Sequence, residues 1–269
     1  MGLLDGKVAF ITGAARAQGR SHAVRLAQEG ADVIVFDVCG EATEVGYPTA
    51  TVEDLEETVR AVEALDRRVV SRIGDVRDQS ALDGIVTEGV AALGRLDVVV
   101  ANAGVSTWGR FWEMPEQRWL DMIDINLTGV WRTLRAATPV MVEQGEGGSI
   151  ITICSVAGIK SLPGQAHYSA AKHGVVGLTK SAAIELGPYG IRVNSVHPWG
   201  VDTAMAQDTN VEAILGAHPE YLGSFGSMMP QLGLAQPSDI SDAVLFLASD
   251  ASRFITGAQI PVDMGATKV

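Results

Sequence analysis

Seven short apolar runs, several rich in Val and Ile, are separated by segments of helical period, and this alternation constrains the fold more than any other feature of the chain. The runs lie at 8–12, 32–37, 68–73, 97–101, 149–154, 191–196 and 259–262. The helical segments lie at 17–29, 52–66, 79–93, 117–142, 167–186 and 239–248. In 52–66, Leu55, Val59 and Val62 recur at the spacing of one buried helix face. Strand, helix, strand is the repeating unit of a parallel sheet. Runs such as Val98-Val99-Val100 are apolar at consecutive positions, which suits strands covered on both faces. No Pro/Ser-rich stretch, charge block or repeat divides the chain. The expectation is one doubly wound α/β domain over 1–269, a seven-stranded parallel sheet flanked by helices. Such sheets bind ligands beyond the carboxyl ends of their strands, where the strand order reverses. The residues just after each run are therefore the candidates for function.

Charge narrows the partners. Thirty-two Asp+Glu against 20 Lys+Arg leave a net charge of −12, which repels nucleic acid and anionic membranes, so neither is expected as a partner. A hydrophobic fraction of 47% is too high for a disordered chain. Two cysteines, Cys39 and Cys154, make neither a disulfide framework nor a four-cysteine zinc site. His22, His167, His173, His197 and His218 show no metal-ligand spacing, and no metal is expected. The first seven residues lack the basic-then-apolar order of a signal peptide, and the uncharged stretch 221–238 holds too many Gly, Pro and polar residues to span a bilayer. A cytoplasmic protein is expected.

The first run leads into Thr12-Gly13-Ala14-Ala15-Arg16-Ala17-Gln18-Gly19-Arg20 and then a helix. A glycine turn so placed aims backbone N–H groups and a helix N-terminus at a pyrophosphate. Asp37 ends the second run, 18 residues after Gly19. A carboxylate there accepts from the hydroxyls of an adenosine ribose and repels a 2′-phosphate, which favours NAD over NADP. Arg16 pulls the other way, since a guanidinium in this turn can pair with that phosphate. Asp75-Val76 follows the third run and could meet the adenine. Asn102-Ala103-Gly104 follows the fourth, where small residues let backbone approach a ligand.

Tyr168 and Lys172 stand at i,i+4 and share one helix face. An ammonium beside a phenol favours the phenolate, and such a tyrosine can exchange a proton with an alcohol or carbonyl. Ser155 ends the fifth expected strand, as Asp75 closes the third, and lies 13 residues before Tyr168, where its hydroxyl could bond the reacting oxygen; Asn126 lies on the long preceding helix.

Taken together, these pieces resemble the short-chain dehydrogenase/reductase family. The matching residues run in order through the turn 12–19, Asp75, Asn102-Ala103-Gly104, Asn126, Ser155, Tyr168-Ser169-Ala170-Ala171-Lys172 and Pro198-Trp199-Gly200-Val201-Asp202-Thr203. The resemblance implies a Rossmann-type fold, with Tyr168 as general acid/base. Lys172 would hold the nicotinamide ribose and tune Tyr168, Ser155 would orient the substrate oxygen, and Asn126 would hold a relay water. It implies a nucleotide site formed by Gly13, Arg16, Ala17, Gln18, Gly19, Asp37, Val38, Asp75, Val76, Asn102, Ala103, Gly104, Tyr168, Lys172, Pro198, Gly200, Val201 and Thr203, and a homotetramer. Ala17 departs from the family's turn by replacing its middle glycine. If that position needs a positive φ, the Cβ costs on the order of 1 kcal/mol.

The stretch 38–51, with Tyr47-Pro48, is long for a strand-to-helix connection. Together with 14–23 and 197–203 it is similar to the carveol-dehydrogenase-like, mycofactocin-associated branch. That likeness implies an insertion covering the adenosine half, NAD held tightly, and reoxidation in place by a redox partner (mycofactocin). The segment 203–237 would be a substrate loop. Its Met205, Leu215, Tyr221, Leu222, Phe225, Met228, Met229 and Leu232, with Trp108, Phe111 and Trp112, could line a pocket for a hydrophobic alcohol or ketone, or pack a lid or subunit interface. The expected activity is NAD-dependent interconversion of a secondary, terpenoid or cyclic alcohol and its ketone. The alternatives are a 3-oxoacyl-thioester (acyl carrier protein) reductase and a non-catalytic nucleotide-binding regulator.

Overall fold

The computed structural model describes residues 2–269; Met1, where the expected domain and the N-terminal segment begin, lies outside the described residues. Seven strands form one parallel sheet: β1 (Val8–Thr12), β2 (Asp32–Asp37), β3 (Val69–Ile73), β4 (Val98–Ala101), β5 (Gly148–Ile153), β6 (Ile191–Pro198) and β7 (Gln259–Val262). Their order is β3-β2-β1-β4-β5-β6-β7, so the chain reverses direction across the sheet between β1 and β4.

The consecutive apolar residues of the strands serve two cores. Phe10, Ile34, Val99, Ile150 and Val193 point to one face. There they pack on the helices α3 (Gln79–Leu93), α5 (Gly129–Gln144) and α6 (Ala166–Leu186). Ile11, Val33, Val35, Val100 and Ile151 point to the other face, against α1 (Ala17–Gln28), α2 (Val52–Glu63) and α8 (Pro237–Ala248). A strand alternates its side chains between faces, so full coverage requires apolar residues at every position.

The expected single helix over 117–142 is broken. Residues Glu116–Ile123 form α4, residues Asp124–Thr128 form a π-helical turn, and only then does α5 begin. Gly129 resumes the α-helix where a Cβ would come within 2.7 Å of Val76, so the close approach of helix to the loop after β3 requires glycine. In 203–237 the chain forms a helix, α7 (Thr209–Ala217), that the sequence pattern did not indicate. Ser155 and Asp75 each lie two residues beyond their strands rather than ending them. Among the described residues no helix is long and apolar enough to cross a membrane.

Candidate active site

The turn after β1 is tied to its neighbours on both sides. Gly13 (φ +67°) donates its N–H to the Phe36 carbonyl of β2 at 2.8 Å. From β4, Asn102 Nδ2 donates to the carbonyls of Thr12 and Gly13, both at 3.0 Å, while Thr12 Oγ1 accepts from the N–H groups of Asn102 and Ala103. Asn102 thus braces the glycine turn across the switch point.

A crevice opens above this junction in two parts of about 1070 and 970 Å³, mouths included. Gln18, Asn102, Gly104, Thr203 and Met205 line both, so the parts are continuous. Every catalytic and nucleotide-site candidate from the sequence lines one part or the other. The first part runs from Asp37, Val38 and Asp75 to the glycine turn; the second holds Asn126, Ser155, Tyr168, Lys172, Pro198, Gly200 and Val201.

At the first end, the Asp37 carboxylate is buried and accepts N–H groups from Ala15 (2.9 Å) and Cys39 (3.1 Å). Arg16 lines the same part. The guanidinium donates to the Pro48 carbonyl of the segment 38–51. Asp75 is held by its neighbour: Arg77 donates to it from the backbone N–H and from Nε and Nη2 at 2.6 to 2.9 Å. Part of its accepting capacity is therefore already used.

At the other end, Ser155 caps a short 3₁₀ turn, with its Oγ accepting from the Ala157 N–H at 3.1 Å. Lys172 Nζ donates to the Ile153 carbonyl at 2.9 Å and sits 5.5 Å from the centre of the Tyr168 ring. Asn126 lies in the π turn, where it accepts from the Val105 N–H and donates to the Met122 carbonyl, both at 3.1 Å. Burial is the largest influence on both members of the Tyr168/Lys172 pair and drives each toward its neutral form, raising the phenol and lowering the ammonium. The neighbouring Ser155 hydroxyl pulls the phenol back down. Lys172 is not among the groups that shift Tyr168, so the expected lowering of the phenol by that ammonium is not seen in the chain itself.

Three residues to which the sequence assigned no role also shape this end. His197 is buried, which lowers its pKa to about 4, so it is neutral at pH 7. Its Nδ1–H donates to the Ser155 carbonyl at 2.7 Å, leaving Nε2 to accept from Ser195 Oγ at 2.8 Å. Gln165 Nε2 donates to Ser106 Oγ at 2.8 Å, and the Tyr47 hydroxyl accepts from the Ser106 N–H at 3.1 Å. Tyr47 therefore carries the segment 38–51 as far as the loop after β4.

Trp108, Leu162, Trp199, Met205 and Phe225 form the apolar wall of the second part. Phe225 lies 5.6 Å from Trp108 and 6.1 Å from Trp199, centre to centre. Phe111, Trp112, Leu222, Met228, Met229 and Leu232 are exposed and do not line the crevice. Among the described residues no cluster of three or more His, Cys, Asp or Glu could hold a metal ion.

A family profile described as enoyl-(acyl carrier protein) reductase matches residues 13–267. An NAD-dependent oxidoreductase of Mycobacterium tuberculosis is 54% identical over 99% of this chain and 98% of that relative. The chain belongs to the short-chain dehydrogenase/reductase family. It is by membership an oxidoreductase. A (−)-trans-carveol dehydrogenase of Rhodococcus erythropolis is 45% identical over 99% of both chains. The crystal structure of a carveol dehydrogenase from Mycobacterium avium in complex with NAD superposes with a TM-score of 0.92 at 50% identity, covering all of both chains.

Proposed function

We propose that this short-chain dehydrogenase/reductase interconverts a secondary, hydrophobic alcohol, terpenoid or cyclic, and its ketone, using NAD. One observation carries the reading: Asn126, Ser155, Tyr168 and Lys172 line the same part of a crevice whose opposite wall is aromatic. The residues present suit NAD. Asp37 puts a carboxylate at the far end of the crevice, and Arg16, within the turn, donates to the Pro48 carbonyl. Gln18 adds a buried side-chain oxygen without a partner where the two parts meet.

NAD, when bound, supplies the hydride acceptor. The chain supplies placement and proton transfer. Ser155 orients the substrate oxygen, and Tyr168 exchanges its proton. Lys172, fixed by the Ile153 carbonyl, would hold ribose hydroxyls. Asn126 keeps a water in reach of Lys172. His197 holds the Ser155 backbone.

The segment 38–51 is the cofactor cover in this reading, and 203–237 the substrate loop. Support comes from its contacts: Pro48 takes Arg16, Tyr47 takes Ser106, and the Gly46 carbonyl accepts the Thr209 N–H of α7. NAD is enclosed and exchanges poorly, and a redox partner such as mycofactocin reoxidises it in place. A cytoplasmic homotetramer completes the proposal, supported by Trp119, Leu120 and Trp131, which are exposed on α4 and α5.

The test is turnover of a panel of secondary alcohols with an artificial electron acceptor. Cyclic and terpenoid alcohols are expected to outrun short polar hydroxy acids. Tyr168→Phe is expected to lower turnover at least about 10²-fold, the usual worth of a general acid/base, while nucleotide stays bound. Unchanged turnover in that variant, or a preference for hydroxy acids, would refute the reading.

A further inference from the structure

We infer that the substrate carries a second oxygen function on its ring and that Gln165 binds it. This rests on the reading that the crevice takes a cyclic alcohol. Gln165 is the N-cap of α6, three residues before Tyr168, and only 6% exposed. An N-cap side chain commonly accepts from the first turn of its helix, and this one does not. One end of its amide is spent on Ser106 Oγ. Among the described residues nothing donates to the other end, Oε1, and the side chain lines the crevice beside Tyr168 and Ser155.

The other polar groups of that wall are committed. Asn126 is bonded at both ends of its amide, Lys172 holds the Ile153 carbonyl, and Ser106 holds Gln165 itself. Tyr168 and Ser155 are reserved for the reacting oxygen. Gln165 remains, set among Trp108, Leu162, Trp199 and Phe225, while the other uncommitted side chains, Gln18 and Thr203, lie where this part joins the nucleotide part. Oε1 is not among the fully buried orphaned atoms and stays open to the crevice, where a ligand hydroxyl can take the place of its hydration. Gln165 precedes α6 by one residue, Tyr168 lies in its first turn, and both line the same part of the crevice, so one saturated ring against the aromatic wall can meet both. A substrate hydroxyl donates to Oε1. The Ser106 hydroxyl can donate or accept, so the amide can also turn over and offer its N–H to a keto oxygen. A site that hydrogen-bonds a substrate hydroxyl rejects the analogue lacking it more sharply than an apolar pocket rejects a missing methylene.

The experiment compares trans-1,4-cyclohexanediol with cyclohexanol on the NAD-loaded enzyme. The wild type is expected to favour the diol in kcat/KM by about tenfold, the worth of one hydrogen bond. Gln165→Leu is expected to erase that ratio, chiefly through KM, and Gln165→Glu, which keeps an acceptor, to restore it. Equal losses for both substrates would mean that Gln165 only braces Ser106, and would overturn the inference. So would a wild type without preference, even one that oxidises cyclohexanol well and so upholds the alcohol reading. Calorimetric titration of both compounds into NADH-loaded protein, where oxidation cannot proceed, reads the same ratio as dissociation constants. Gln165-dependent binding of the diol without turnover would sustain this inference and refute the oxidation chemistry; binding of neither would overturn it.

Discussion

Ala17 has φ +47°, in the left-handed region where a Cβ is strained, so the departure from glycine in the nucleotide turn is a real cost. Ala17→Gly is expected to relieve on the order of 1 kcal/mol, less the entropy that glycine restores to the unfolded chain, and to raise Tm by about 2 °C. A thermal melt showing a fall instead would mean that the turn is not strained. Other single residues were legible for a different reason. Tyr168 and Lys172, or Gly19 and Asp37, work at short fixed spacings, and a helix face or a βα unit converts those spacings into proximity. Gln165, His197 and Tyr47 carry no such signal. Their partners, Ser106, the Ser155 carbonyl and the Ser106 N–H, lie 59, 42 and 59 residues away, and only the closed sheet brings them together.

At the scale of elements, the strands were readable because burial on both faces leaves uninterrupted apolar runs, as in Ala9-Phe10-Ile11. The π turn at Asp124–Thr128 was not. Ile125, Val130 and Leu134 all face one core, and the step of five from Ile125 to Val130 is a fault of one residue, small enough to pass for a helical step of four. π turns often mark functional positions, and here the turn carries Asn126 to the crevice. Helix α7 was hidden because none of its residues is buried, which leaves no apolar stripe to read. The segment 38–51 stood out only by length, and its role depends on how firmly it is latched. Tyr47→Phe removes the acceptor of the Ser106 N–H, and a lost hydrogen bond is worth about 0.5–1.5 kcal/mol. Labelled NAD is therefore expected to leave the variant about two- to tenfold faster than the wild type, which should itself keep near-stoichiometric nucleotide through dialysis. Rapid exchange by the wild type would remove the case for a cover.

Three histidines of the whole molecule are buried and neutral at pH 7, and they tie its stability to acid. Burial lowers His22 to about 3, and His167 and His197 to about 4. In the unfolded chain each has an ordinary value near 6.5. The unfolded state thus takes up protons first as pH falls. The stability these groups confer is complete above about pH 6.5 and is lost progressively toward pH 4. At pH 5 each histidine costs about 2 kcal/mol, and the three together are comparable to the net stability of an ordinary domain. Denaturant titrations from pH 7.5 to 4.5 are expected to show a slope approaching three protons, about 4 kcal/mol per pH unit. Carboxylates held low in the fold, such as Asp263 and Glu29, add to the loss only at lower pH. His22 offers a clean control, because it sits between α1 and α8, away from the crevice, and its partner Ser241 keeps bonds to the Pro237 carbonyl and to Ser21. His22→Leu is expected to reduce the slope by about one proton at unchanged catalytic pH dependence. An unaltered slope would show that His22 is not the neutral buried group its surroundings imply.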